Sequence, residues 1–294
     1  MKKFGIILSS IPERFASLDI ESLTKLNNCS EIELTIVIDL HSKVIPNQEI
    51  LELLKDCGIK VLSGYFGNPG LTRNHGLINS QSEWVLFWDD DDIPNYDFAT
   101  ELAQGNLLDS KHTLHVFEYI EANTASSQNI NFSNSNDFDS NCSSLATRLG
   151  IWRCVFLRRR LGNLLFPSLI MGEDQSFIYV QNFSNSEICF HDKNLYTYLK
   201  HSGNQLTSQK LNRKRVLEAW NLISSIGSET PMNDLSQKLL CNIFVTSIVQ
   251  CGFIGVFRND GLSNLLKNFR NRNITLGNIM RIVLIKLLKR HQIA

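Results

Sequence analysis

Four consecutive carboxylates, Asp89-Asp90-Asp91-Asp92, come directly after the apolar run Trp84-Val85-Leu86-Phe87-Trp88. Adjacent acids at the end of a buried segment repel one another, which raises their pKa values and costs stability unless a cation lies among them. Side chains at i and i+2 of an extended segment project to the same side, so Asp89 and Asp91 can share one partner. A run that offers only oxygen ligands suits a hard divalent cation, Mg²⁺ or Mn²⁺, which keeps open positions for phosphate oxygens. The competing reading is a solvated acidic turn that caps the next helix, with Pro94 setting the helix start. A second acidic pair, Glu173-Asp174, comes after Gly172. Repulsion raises one of two such pKa values towards neutrality, where a carboxylate can serve as a general base. The plain alternative is a pair of acids completing a helix N-terminus, where they are favoured.

Groups of this kind work only if the backbone presents them together. Phe4 to Leu8, Glu33 to Asp39, Ile59 to Leu62 and Trp84 to Trp88 read as strands, rich in apolar and β-branched residues. Between them, residues 15 to 26, the segment carrying Ile50, Leu51, Leu53 and Leu54, and residues 71 to 78 read as helices. Strand and helix alternating at this spacing predict parallel pairing with helices on both faces of the sheet. Ligands of such sheets bind beyond the carboxyl ends of the strands, which singles out Ser9-Ser10, Asp39 and the aspartate run. Residues 121 to 144 hold six Asn and seven Ser and read as a surface loop or irregular hairpin. After about residue 211 the pattern is helical, with Val216, Trp220 and Ile223 at i, i+4 and i+7.

Gly70-Leu71-Thr72-Arg73-Asn74-His75-Gly76-Leu77, leading into Phe87-Trp88-Asp89-Asp90-Asp91-Asp92, resembles the inverting family 2 glycosyltransferases. In these a G-x-x-x-A-R-N-x-G helix precedes a strand ending in D-x-D. Further on, Ile151-Trp152-Arg153, Phe166-Pro167 and Gly172-Glu173-Asp174-Gln175 resemble the family's acceptor-side strand and E-D motif, and Tyr196 to His201 resembles a late stretch that supplies a histidine. The resemblance covers about residues 3 to 208. It implies a GT-A fold: a mixed, mainly parallel sheet with helices on both faces. The catalytic domain would occupy 1–210, with a donor half at 1–118 and an acceptor half at 145–210, and a helical extension would occupy 211–294. It also implies a nucleotide-sugar donor, a UDP-sugar by frequency, and Mn²⁺ or Mg²⁺ as cofactor. Asp91 and His201 would be metal ligands, and Ser9, Asp39, Arg73, Asp89 and Asp90 would lie around the donor. Glu173 and Trp152 would meet the acceptor, and Asp174 would be the catalytic base. Arg73 has a competing role as a brace of the strand end, and Trp152 as a core residue. Two stretches depart from the family: Asp39-Leu40-His41-Ser42 lacks the second acid usual there, and Ser9-Ser10-Ile11-Pro12 replaces the common P-T-Y-N.

The acceptor block is closer to the enzymes of bacterial capsule, lipopolysaccharide and O-antigen synthesis than to processive synthases. The implied acceptor is a glycan or a lipid-linked glycan. Rivals are a nucleotidyltransferase of related fold, which would want a glycine-rich loop where Ser9 to Arg14 has no glycine, and an inactive GT-A scaffold that binds a membrane or partner. Lysine plus arginine equals aspartate plus glutamate, 29 each, which speaks against a general nucleic-acid binder. Seven cysteines with no C-x-x-C pair suit a reducing cytosol, and the apolar run after Met1-Lys2-Lys3 is too short for a signal peptide. Leu239 to Phe257 carries no charge, but Asn242, Thr246 and Gln250 form a polar stripe that suits a buried or interfacial helix better than a bilayer span. There is no acid after Asp260, and the basic, amphipathic segment 262–294 could rest on an anionic membrane surface or pack as a plain terminal helix.

Overall fold

The computed structural model describes residues 2–41, 44–122, 127–130, 138–199, 213–225 and 233–247. At its centre β1 (Phe4–Ser10) pairs in parallel with β2 (Ile32–Asp39) on one side and β4 (Trp84–Asp89) on the other, and β3 (Lys60–Gly64) extends the parallel set beyond β2. Every residue of β1 is buried, which is why it reads as an unbroken apolar run and not as an alternation. Past β4 the sheet becomes mixed. β8 (Cys154–Leu157) runs antiparallel between β4 and β6 (Leu114–Ala122). β9 (Ile188–Leu199) is parallel to β6, and β5 (Ile93–Pro94) is antiparallel to β9. The order is β3-β2-β1-β4-β8-β6-β9-β5, with β7 (Ser127–Ile130) as a hairpin partner of β6. This is the expected mixed, mainly parallel sheet.

Its two faces carry different helices. Ile6, Leu8, Ile36, Ile38 and Trp88 form one core with Leu23 and Leu26 of α2 (Ile20–Asn27), Leu54 of α3 (Gln48–Asp56) and Phe98 and Leu102 of α5 (Tyr96–Gln104). Ile7 and Val37, one residue out of phase, face Gly76 of α4 (Pro69–Asn79). The period of two in the strands therefore sorts the helices onto opposite faces.

Three expectations are corrected. The helix expected over residues 15 to 26 is broken into α1 (Pro12–Phe15) and α2, because the Asp19 carboxylate accepts the Ser22 N–H at 3.1 Å and starts a new helix. Pro94 does not start a helix: it lies in β5 paired with Tyr196, and Asn95 caps α5 by accepting the Phe98 N–H. The segment 121–144 begins as the expected hairpin, β6 with β7, but is not irregular throughout, since α6 (Phe138–Thr147) buries Asn141, Cys142, Ser143, Leu145 and Ala146. Two of its hydroxyls return to its own carbonyls, Ser143 Oγ to Asp139 O at 2.8 Å and Thr147 Oγ1 to Ser143 O at 3.0 Å.

The chain divides into two compact units. One comprises the sheet with α1 to α5 and the short helix α7 (Arg158–Leu161). The other holds α6, α8 (Glu173–Gln181), α9 (Arg213–Ser225) and a helix over 234–247, here α10. Among the described residues no helix is long and apolar enough to cross a membrane. His201, most of the uncharged stretch from Leu239 to Phe257 and the basic segment 262–294 lie outside the described residues.

Candidate active site

The register places Ser9 beside Asp89, and Asp39 ends the next strand over, so the three strand ends singled out by sequence do converge at the carboxyl edge of the sheet. There the four aspartates take alternate directions. Asp90 turns inward: its carboxylate accepts Ser10 Oγ at 2.7 Å and the Ile11 N–H at 3.1 Å, and its other oxygen forms an ion pair with Arg14 Nη2 at 2.8 Å. Asp92 also turns inward and accepts the Leu199 N–H of β9 at 2.8 Å. Asp89 and Asp91 stay open, with side chains 25% and 21% exposed against 0% for Asp90. Asp89 accepts Arg73 Nη2 at 2.8 and 3.1 Å through its two oxygens, and Asp91 accepts Arg14 Nη1 at 2.7 Å.

Burial dominates the electrostatics of the inward pair. It pushes the Asp90 carboxyl up to about 6, against the pull of Arg14 and Ser10. It pushes Asp92 up to about 8, against the Leu199 N–H and with the repulsion of Asp91 and Asp89 added. Two arginines and a set of N–H and O–H donors thus hold the run together, while Asp89 and Asp91 present hard oxygens towards solvent. That donor set fits a divalent cation of the Mg²⁺ or Mn²⁺ kind.

The surrounding elements fix this geometry. Arg73 is buried on α4 with its guanidinium 5.6 Å from the Phe166 ring, and it braces Asp89, the competing role open to it from sequence. Its neighbour Asn74 exchanges two hydrogen bonds of 2.8 Å with the backbone of Phe166. A Cβ on Gly70 would come within 2.8 Å of the Pro167 carbonyl oxygen. The Gly-Arg-Asn-Gly pattern is therefore the imprint of one helix held between the sheet and the Phe166-Pro167 segment. The Tyr196 hydroxyl donates to the Asp89 carbonyl at 3.3 Å and accepts its N–H at 3.2 Å, which ties β9 to the end of β4.

The other sequence-derived candidates belong to several different elements. Asp39 is buried and accepts the N–H groups of Phe66 and Gly67 at 2.9 to 3.1 Å, anchoring the turn before α4 in which Gly67 has φ 74°. Ser9 Oγ is buried without a hydrogen-bond partner among the described residues. Trp152 is 8% exposed and stacked on Tyr196 at 4.6 Å and on Tyr198 at 5.8 Å, so its packing is that of a core residue. Glu173, buried, and Asp174, half-buried, open α8 in the helical unit after Gly172 at φ 80°. The roles of Arg14 and Tyr196 emerge only from the structure. The available signal for Arg14 is a cation four residues past one strand end that faces another strand end made of acids.

No protein-family model matches the chain, and no curated protein matches it by sequence. Solved structures do match by shape. Residues 1–349 of S. aureus TarS in complex with UDP-GlcNAc superpose with a TM-score of 0.66 at 21% identity, over 96% of this chain and 81% of that one. The complex of the same protein with UDP gives 0.61 at 19% identity over the same shares. A mannosyltransferase from Pyrobaculum calidifontis in complex with GDP-Man and Mn²⁺ gives 0.52 at 9% identity, over 97% and 87%. These likenesses are ones of fold, and the chain has the GT-A fold.

Proposed function

We propose that this protein is a metal-dependent glycosyltransferase that moves a sugar from a nucleoside-diphosphate donor, with inversion, onto a glycan or lipid-linked glycan of a bacterial surface polysaccharide. The observation that carries the reading is the alternation at the end of β4, with Asp90 and Asp92 locked inward and Asp89 and Asp91 offered outward on a GT-A sheet. The matched structures with UDP-GlcNAc, and with GDP-Man and Mn²⁺, support a nucleotide sugar as the ligand class.

Asp91, with Asp89 beside it, would hold Mn²⁺ or Mg²⁺, which when bound offsets the charge of a departing diphosphate. Arg73 keeps the Asp89 carboxylate oriented by a two-oxygen contact. Asp90 and its partners Ser10, Ile11 and Arg14 hold the turn that aims Asp91 outward. In this reading Asp174 takes the proton of the acceptor hydroxyl at a carboxylate oxygen, and Glu173 contacts the acceptor. A lipid-linked acceptor would give the basic segment 262–294 an anionic membrane surface to rest on, on the cytoplasmic side.

A thermal-shift panel of UDP, GDP and CDP with and without Mn²⁺ tests the core of this reading. A nucleoside diphosphate should raise the melting temperature only with the cation, since the aspartates otherwise repel it, and Asp91→Ala should abolish the shift. Equal stabilisation in excess EDTA would overturn a metal-bridged donor. Sedimentation with anionic liposomes, lost on deleting 262–294, tests the surface contact, and unchanged sedimentation would refute it.

A further inference from the structure

A second group of ligand-bearing side chains lies well away from the aspartates. Among the described residues, His115, Cys189 and His191 bring one nitrogen or sulfur each within 4.8 Å of one another. The sheet itself assembles them. His115 stands opposite Cys189 in the parallel β6–β9 register, and His191 is two residues beyond Cys189, so all three project from one face. Phe117, opposite His191, stacks on its ring at 4.6 Å, and Trp84 packs edge-on against His115 at 5.1 Å. Through β8, His115 is level with Leu86, which is three residues before Asp89 on β4 and thus about 10 Å back along the strands.

The proton positions favour a ligand. His115 Nε2 lies 3.3 Å from the Asp109 carbonyl oxygen, which can only accept, so that nitrogen carries the ring proton. Its Nδ1 therefore presents a lone pair, and this atom faces His191 Nε2 at 2.8 Å. A histidine whose far nitrogen is fixed on a backbone carbonyl has the arrangement that orients metal-bound imidazoles. Cys189 and His191 are only partly buried, so two of the three side chains reach solvent.

We infer that His115 Nδ1, His191 Nε2 and Cys189 Sγ form a zinc site, with water as the fourth ligand. One thiolate and two imidazoles suit Zn²⁺ and not the hard cation expected at the aspartates. On binding, His191 shifts its proton from Nε2 to Nδ1 and Cys189 releases its thiol proton, so one proton leaves per ion. The site clamps the start of β9 to β6 ahead of the register shifts between Phe117 and Tyr119. Beyond those shifts the same strand delivers Tyr196 and the Leu199 N–H to the aspartate run. Zinc would thereby fix a strand that positions the candidate active site.

Cobalt is the probe. The full-length protein, stripped by a chelator and held in excess Mg²⁺ to occupy the oxygen site, is titrated with Co²⁺. One equivalent should bind with a thiolate-to-cobalt charge-transfer band and the intense visible bands of four-coordinate cobalt, and Zn²⁺ should displace it. Cys189→Ser should remove the charge-transfer band, and His191→Gln should weaken binding by roughly tenfold or more. Circular dichroism should show both variants folded. Asp91→Ala should keep the full signal, which separates this site from the proposed donor site. No charge-transfer band in the parent protein, a band that survives in Cys189→Ser, or cobalt lost on gel filtration would each overturn the assignment.

Discussion

Asp92 is the residue at which the fold works hardest against an ionised carboxylate. An unfolded aspartate titrates near 4, whereas burial here lifts the group to about 8. Between those values the folded chain holds a proton that the unfolded chain has released. Unfolding then sheds a proton, and stability falls as pH rises through the window. In the metal-free protein the unfolding free energy should drop by about 3–4 kcal/mol between about pH 5 and about pH 8. Asp92→Asn, which keeps an acceptor for the Leu199 N–H, should flatten that slope in urea titrations, and an unchanged slope would assign it to another group. Asp174→Asn tests the proposed base: it keeps the shape but not the proton affinity, so turnover should fall by roughly 10² while donor affinity is unchanged. Near-wild-type turnover would remove Asp174 from the reaction. The outward pair Asp89 and Asp91 is legible in the sequence because strand geometry alone dictates i and i+2 on one side. Arg14 is not, because its role depends on which strand end lies opposite. The Cys189-Phe190-His191 spacing is likewise silent until the parallel register with β6 supplies His115.

At the scale of elements, α4 shows what the motif glycines are for. A Cβ at Gly76 would sit 2.4 Å from Ile7 Cγ2 and 3.1 Å from Val37 Cγ2, so the helix lies directly on β1 and β2 at that point. Gly76→Ala, although favourable for helix propensity, should destabilise the protein by about 1–3 kcal/mol through overpacking. It should also weaken donor binding, because α4 carries Arg73 to Asp89. A more stable variant with intact donor binding would show that the sheet face can give way there. Elements also differ in how plainly the sequence announces them. Alternating strands and helices are readable because each carries its own apolar period. The break at Asp19 is hidden inside a continuous helical pattern, and α6 is hidden by composition. A serine-rich helix looks like a loop when its partners are distant in sequence, as Lys238 supplies a salt bridge to Asp139 from 99 residues away.

For the whole molecule, the decisive question is where the helical part begins. A division at residue 210 treats the remaining C-terminal residues as an appendage, yet α8, which carries Glu173 and Asp174, is built into the helical unit. A Cβ on Gly172 would meet the Ala219 side chain at 3.1 Å. Asn182, the left-handed cap of α8 at φ 48°, accepts the Asn233 N–H at 3.0 Å through its side chain and Asn233 Nδ2 at 2.6 Å through its carbonyl. Within that unit Val216, Trp220 and Ile223 of α9 and Leu235, Leu239 and Leu240 of α10 are buried. Each such side chain contributes about 1.5–3 kcal/mol on burial. Losing six of them rivals or exceeds the 5–15 kcal/mol or so by which a domain is typically stable. A chain ending at residue 210 should therefore be insoluble, or be soluble with α8 cut early in limited proteolysis. If it is instead soluble, resists cleavage across residues 172–181 and melts like the full chain, then α8 does not need the C-terminal helices. In that event the catalytic domain closes by residue 210, as the sequence pattern alone suggests.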